Sequence, residues 1–329
     1  MTSATDRVGW GIVGTGGIAA AFASDLALLP DAALAAVGSR TRASADEFAD
    51  RFDIGHRHPS YEELVTDPDV DVVYVSTPHP FHHDAARLAI DAGKAVLVEK
   101  PFTMDAAEAR DLVARARDSG VFLMEAMWAR FVPHMVRVRE LLRNGTLGDV
   151  RSLVADHGQW FVKDRTHRLF APGLGGGALL DLGIYPVSLA SMVLGTSSTV
   201  TAVSDPAFTG VDATTSVLLQ HEGGRHAVLT ASLEAAGPNR AAIIGTQARI
   251  EIDSIWYAPT SFRVVTRDGA VEVYDEPHEG IGLRHEAAEV MQCLRDGRLE
   301  SEVMPLDETL TIMTTMDEIR RQIGLSYAG

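Results

Sequence analysis

A chain of 329 residues has room for about two domains at the usual ~150 residues each. With 46% hydrophobic and 22% charged residues it can bury enough apolar surface to offset ordering entropy, which excludes a disordered chain. Twenty-nine basic residues against 45 acidic ones give a formal charge of -16, which repels phosphate backbones and anionic lipids, so neither nucleic acid nor membrane is an expected partner.

From Met1 to Arg7 the chain is polar and lacks the apolar core of a signal peptide, and no uninterrupted apolar run approaches ~18 residues. The expected compartment is the cytoplasm. Val8–Val13 reads as the first strand and Leu34–Gly38 as the second, followed by strands at Val70–Ser76, Ala95–Val98 and Val121–Met124. The stretches between them carry helix signals. Ser44-x-x-Glu47 and Ser60-x-x-Glu63 fit capping boxes, and Asp105 to Arg117 has helical apolar spacing that Gly120 stops. Strands alternating with helices predict βαβ units and a parallel sheet.

After Trp128 the rhythm changes. Residues 131–143 and Gly176–Leu194 read as helices, and Thr199 to Tyr274 as seven short alternating strands, expected to be antiparallel. Helices around Leu283–Arg295 and Leu306–Ile323 close the chain. The expected architecture is an α/β protein. Residues 1–127 form a Rossmann dinucleotide-binding domain. Residues 128–329 form an α+β domain with a large, mainly antiparallel open sheet, which binds substrate and joins subunits. One face of that sheet is left uncovered and carries residues such as Val217, Leu219, Val228 and Thr230. Self-association through it, as a homodimer or higher oligomer, is the expected way to bury it.

Gly14-Thr15-Gly16-Gly17-Ile18-Ala19 is a G-x-G-x-x-A turn between an apolar strand and an Ala-rich helix. Gly14 permits the tight turn, Gly16 lets backbone approach a pyrophosphate, and Ala19 permits close helix–strand packing. The helix N-terminus offers free N–H groups to the phosphates. NAD-preferring sites place a carboxylate at the end of the second strand; here Ser39-Arg40 stands there. A hydroxyl and a planar guanidinium suit a ribose 2′-phosphate, so NADP is expected over NAD. The single Cys293 excludes a disulfide framework, and none of the 12 histidines has metal-ligand spacing, so no metal is expected.

Further motifs follow: Thr77-Pro78-His79-Pro80-Phe81-His82, Glu99-Lys100-Pro101, Met124-Glu125-Ala126-Met127-Trp128-Ala129-Arg130-Phe131, and Gly175 to Tyr185 with its D-x-G-x-Y element. With the glycine loop, they resemble the glucose-fructose oxidoreductase/inositol dehydrogenase (Gfo/Idh/MocA) family over nearly the whole chain. The branch most similar holds the dimeric dihydrodiol dehydrogenases and NADP-dependent D-xylose dehydrogenases. The resemblance implies hydride transfer at a hydroxyl of a sugar, polyol or vicinal diol. It also implies cofactor contacts from Thr77, Pro78, His79, His82, Glu99 and Lys100, a cis Lys100–Pro101 bond, and dimers. His79 stands where many relatives carry Asn.

Removing a hydroxyl proton as hydride leaves needs a base. Tyr185 can take it once an ammonium lowers the phenol from its ordinary value of about 10, and Lys100 is the natural source. Lysine is scarce in this chain (only Lys94, Lys100 and Lys163), which makes its presence before Pro101 informative. Asp181, four residues before Tyr185, either binds a substrate hydroxyl or holds Lys100. Trp128, Arg130, Phe161 and Arg168 are the further candidates for the substrate pocket. Two other readings keep the nucleotide: transient oxidation that drives elimination or glycoside cleavage, and a non-catalytic sensor, for which Lys100 and Tyr185 would be superfluous.

Overall fold

The computed structural model describes residues 7–327, so all but Arg7 of the N-terminal stretch read for a leader lies outside them. The chain divides into two compact units that do not follow a single cut: Met1–Trp128 with Glu279–Leu310, and Ala129–His278 with Thr311–Gly329.

The first unit is a doubly wound α/β layer. Its elements are β1 (Val8–Val13), α1 (Gly17–Leu26), β2 (Ala32–Gly38), α2 (Arg42–Phe52), β3 (His56–His58), α3 (Tyr61–Val65), β4 (Val72–Val75), α4 (His82–Asp91), β5 (Ala95–Glu99), α5 (Ala106–Ser119) and β6 (Leu123–Ala126). The sheet order is β3-β2-β1-β4-β5-β6, parallel throughout. Helices cover both faces, which is why β4 and β5 are apolar almost without break and wholly buried. The strand order reverses between β1 and β4, and the crevice beyond their carboxyl ends is where such sheets take ligands. Ser60 caps α3 by accepting from the Glu63 amide, as expected, and Gly120 ends α5 at φ 64°. Ser44 does not cap α2: Thr41 does, because its side chain reaches the Ser44 amide first, and the helix starts at Arg42.

The second unit holds α6 (Pro133–Arg143), β7 (Val150–Gly158), α7 (Ile184–Leu194), β8 (Ser197–Pro206), β9 (Asp212–His221), β10 (Arg225–Ser232), β11 (Ala241–Gly245), β12 (Ala248–Ile252), β13 (Phe262–Thr266) and β14 (Val271–Tyr274). Its eight strands run β14-β13-β12-β11-β7-β10-β9-β8. All neighbours are antiparallel except β7 and β10, which are parallel, so the sheet is mixed. The sequence reading lacked β7, the central strand. Its inward positions include Ala155 and His157 as well as Leu153, which blurs the apolar alternation.

The helix expected from Gly176 begins differently: a wide turn over Leu179–Gly183 leads into α7, and both pack on the sheet. The segment Pro172–Leu194 is long and apolar enough to cross a membrane, with an 18-residue window of mean hydropathy 1.6, but 83% of that window is buried inside the structure. On the other face of the sheet one expectation needs correcting. Val217 and Leu219 point toward the covered side and are buried, because β9 alternates. Leu218 takes the open face instead, in register with Val228 and, through β10, with Val154.

After the second sheet the chain forms α8 (Leu283–Arg295), which lies in the first unit, and α9 (Leu306–Ile323). The carboxylate of Asp25 on α1 accepts from the amides of Ile281, Gly282 and Arg284, which ties the start of α8 to α1.

Candidate active site

At the β1–α1 turn Gly14 adopts φ 101°, and a Cβ there would lie 3.0 Å from the Ser76 carbonyl oxygen. That position demands glycine. Thr15, Gly16, Gly17 and Ile18 reach the surface, and a Cβ on either Gly16 or Gly17 would meet nothing within 4 Å. The Gly16 backbone is extended and no side chain caps α1, so its first amides remain for an anion. At the end of β2, Ser39 is buried, its amide held by the His58 carbonyl, and Arg40 is exposed. Tyr61, not anticipated from the sequence, lies near enough to Arg40 to feel its charge.

Across the switch point Thr77 and His79 are buried. His82 is fully buried, with Nδ1 2.9 Å from the Pro101 carbonyl and Nε2 2.8 Å from that of Thr77. Burial, aided by His79 and Lys100, pushes its pKa down to about 4, so it is neutral, donates through one ring nitrogen to one of these carbonyls and packs between the two loops. The Lys100–Pro101 bond is cis, as expected. Glu99 is buried: Oε1 accepts from the Tyr74 hydroxyl at 2.5 Å and Oε2 from the Lys100 amide at 3.0 Å. Tyr74 in turn stacks on Phe22 of α1 at 3.8 Å. Glu99 therefore sets the backbone of Lys100, which sits half-exposed at the carboxyl end of β5 beside Pro101. Trp128 is half-buried at the end of the unit's first segment.

In the second unit Asp181 lies in the wide turn and Tyr185 in the first turn of α7, both nearly buried. Arg168 pairs with Asp181, Nη1 to Oδ1 3.0 Å. Asp212 orders the turn by accepting from the Leu179 amide at 2.7 Å, and Gly177, at φ 121°, packs so closely that a Cβ would sit 2.0 Å from Asp212 Oδ1. Phe161 packs against the apolar cluster of Leu169, Phe170 and Leu182. Arg130 is buried, with Nε on Ser188 Oγ at 2.9 Å and Nη2 on the Ser188 carbonyl at 2.7 Å, so it secures α7.

Around Tyr185 the structure adds residues that the sequence reading did not assign. His157 meets its ring edge-on at 5.0 Å and stacks on Tyr257 at 3.9 Å, and Gln159 donates to His157 Nε2 at 3.0 Å. His157 lies near the end of β7 and Gln159 directly follows the strand, two residues on. That spacing would have shown a shared face had the strand been recognised.

Residues 8–127 match the family model described as oxidoreductase family, NAD-binding Rossmann fold, and residues 135–251 match the GFO/IDH/MocA C-terminal domain. The chain belongs to the GFO/IDH/MocA family. Trans-1,2-dihydrobenzene-1,2-diol dehydrogenase from Mus musculus is 42% identical over 330 residues, covering 97% of both chains. The enzyme of that name from Homo sapiens is 39% identical, with the same coverage. Among solved structures, a 3-ketoreductase from Actinomadura kijaniata with NADP and TDP-benzene superposes with a TM-score of 0.85 at 27% identity, over 96% of this chain and 98% of that one. An aldose-aldose oxidoreductase from Caulobacter crescentus with glycerol superposes with a TM-score of 0.88 at 26% identity, over 96% and 97%. This family member is an oxidoreductase, of the NAD(P)-linked dehydrogenase kind.

Proposed function

We propose that the enzyme transfers hydride between NADP and a hydroxyl or carbonyl carbon of a small sugar, polyol or vicinal diol. The observation that carries this reading is Lys100 at the carboxyl end of β5, beside the switch point, with its backbone locked by Glu99. The names of the dihydrodiol dehydrogenases and of the aldose-aldose oxidoreductase support the substrate class, and the ketoreductase with its nucleotide supports NADP.

The first unit fits the cofactor. The uncapped amides of α1, with open space over Gly16 and Gly17, suit a pyrophosphate, and Ser39 with Arg40 suits a 2′-phosphate at a strand end free of acidic side chains. Thr77, Pro78 and His79 flank the same crevice, and His82 and Glu99 act by holding its loops. When bound, NADP supplies the hydride acceptor in one direction and the donor in the other. Tyr185 removes the proton from the reacting hydroxyl, or returns it to the developing alkoxide. The Lys100 ammonium favours the phenolate and stabilises the alkoxide oxygen. Asp181, steadied by Arg168, accepts from a second substrate hydroxyl, and Trp128 and Phe161 complete the substrate walls.

The open face of the eight-stranded sheet carries Val154, Leu218 and Val228 in one cross-strand row, 39–48% exposed. A second copy buries this row in a homodimer. A cytoplasmic location, where a pool of NADP is available, belongs to the same proposal. A fluorescence screen of aldoses, polyols and diols against NADP and NAD tests the reading. It predicts reduced NADP with at least one of these classes; nucleotide binding without turnover on any of them would favour a sensor.

A further inference from the structure

Five acidic side chains are buried in the first unit, and four of them are supplied with hydrogen-bond donors. Asp67 takes the Asp69 amide and meets the rings of His56 and His58. Asp25 takes the amides at the start of α8, and Glu99 takes the Tyr74 hydroxyl and the Lys100 amide. Glu125 of β6 takes the Phe102 amide and the Thr309 hydroxyl. The fifth, Glu286 in the first turn of α8, is wholly inaccessible, and neither of its carboxyl oxygens has a hydrogen-bond partner. Glu99, Asp25 and Glu125 all act on it through their charge, Glu99 most strongly, and no basic group among the described residues does.

We propose that Glu286 is the protonated member of this cluster at neutral pH and that, as an uncharged group, it positions the Glu99–Lys100 corner. A buried carboxylate is tolerated when donors surround it and is very costly when none do. Donor supply therefore assigns negative charge to Asp25, Glu99 and Glu125 and the proton to Glu286. The positive end of the α8 dipole favours an anion here, but that effect is smaller than the desolvation of an unpaired carboxylate. Burial and the three neighbouring carboxylates together raise the Glu286 pKa well above its ordinary value.

Ionising Glu286 would set an unpaired charge beside the carboxylate that holds Lys100. Its effect on turnover rests on the role proposed above for Lys100; its protonation does not. The sign of the pH dependence follows from where the proton goes. The unfolded chain loses this proton near pH 4.5 and the folded chain keeps it to a much higher pH. The folding equilibrium constant thus falls by about tenfold per pH unit from 4.5 up to the folded value.

Glu286→Gln keeps the shape and cannot titrate. Infrared difference spectra of the full chain at pH 7 should show a protonated carboxyl stretch that Glu286→Gln removes. Asp212→Asn is the control for the other buried acid whose pKa is raised by burial. Urea unfolding at pH 6 and pH 8 should show Glu286→Gln gaining on wild type in the folding constant as the pH rises. A pH 7 spectrum without a Glu286 band, or a stability gap independent of pH, overturns the proposal. If Glu286→Gln fails to fold, the Asp212→Asn protein alone decides: its protonated band must be present at pH 7 and bleach at alkaline pH. Turnover reads the positioning separately. Wild type should lose kcat reversibly on the alkaline side while Glu286→Gln does not. An unchanged profile with the infrared band confirmed would remove the link to Lys100 and leave the proton in place.

Discussion

Replacing His82 with leucine removes the one side chain that spans from the Thr77 carbonyl to the Pro101 carbonyl, and it removes a titrating group as well. Near neutrality the variant should be less stable by about 1–3 kcal/mol, because a buried carbonyl loses its donor. Acid narrows the difference. The ring takes a proton near pH 6.5 in the unfolded chain but only at about 4 when folded, since burial opposes the charge. The neutral ring's contribution is therefore complete above pH 6.5 and is lost as the pH falls toward 4. At pH 5 the unfolded wild type is favoured by its extra proton, which costs the fold about 2 kcal/mol at about 1.36 kcal/mol per pH unit. Leucine suffers no such loss, so the gap between wild type and His82→Leu should shrink by that amount from pH 7 to pH 5. His134, also pushed down to about 4 by burial, is common to both proteins and cancels. Urea titrations followed by circular dichroism measure the gap. A gap that stays constant over this interval would refute the assignment of His82 as a buried neutral brace.

Arg40→Asp should reverse the cofactor preference, with NADP affinity falling by about 10–100-fold as a charge-assisted contact is lost; equal affinities for NADP and NAD in the wild type would refute the 2′-phosphate assignment. Val228→Arg places a charge in the open apolar row and should yield a monomer by light scattering, whereas a monomeric wild type at micromolar concentration would reject dimerisation through this face. Gly177→Ala forces a side chain into φ 121° and toward Asp212, and should cost at least about 1–3 kcal/mol in thermal unfolding; unchanged stability would contradict the close packing.

What was legible in the sequence was whatever local chemistry determines. Strands buried on both faces announce themselves as apolar runs, and the glycine turn and the Glu-Lys-Pro element each occupy consecutive residues. Long-range consequences were not legible. β3 consists of His56, Arg57 and His58, polar residues held in the sheet by pairing with β2. β7 was obscured because a histidine of the Tyr185 surround takes one of its inward positions. Thr41 and Ser44 both offer capping chemistry near the same helix start, and pattern alone did not choose between them. Nothing near residue 283 shows that α8 belongs with the first sheet, because the carboxylate that captures it, Asp25, is 256 positions or more away. The aromatic contact of Tyr185 with Tyr257 depends equally on distant parts of one unit.

The central claim is that Tyr185 moves the proton while Lys100 supplies the charge that makes this possible. It is tested most directly by the turnover of Tyr185→Phe, measured beside Lys100→Met and the double variant on the best substrate found. Tyr185→Phe should keep its fold and its NADP affinity and lose about 10²–10⁴-fold in kcat, with the double variant little worse than the worse single one. Near-normal turnover by Tyr185→Phe would contradict the account and pass the proton to His157 or Asp181.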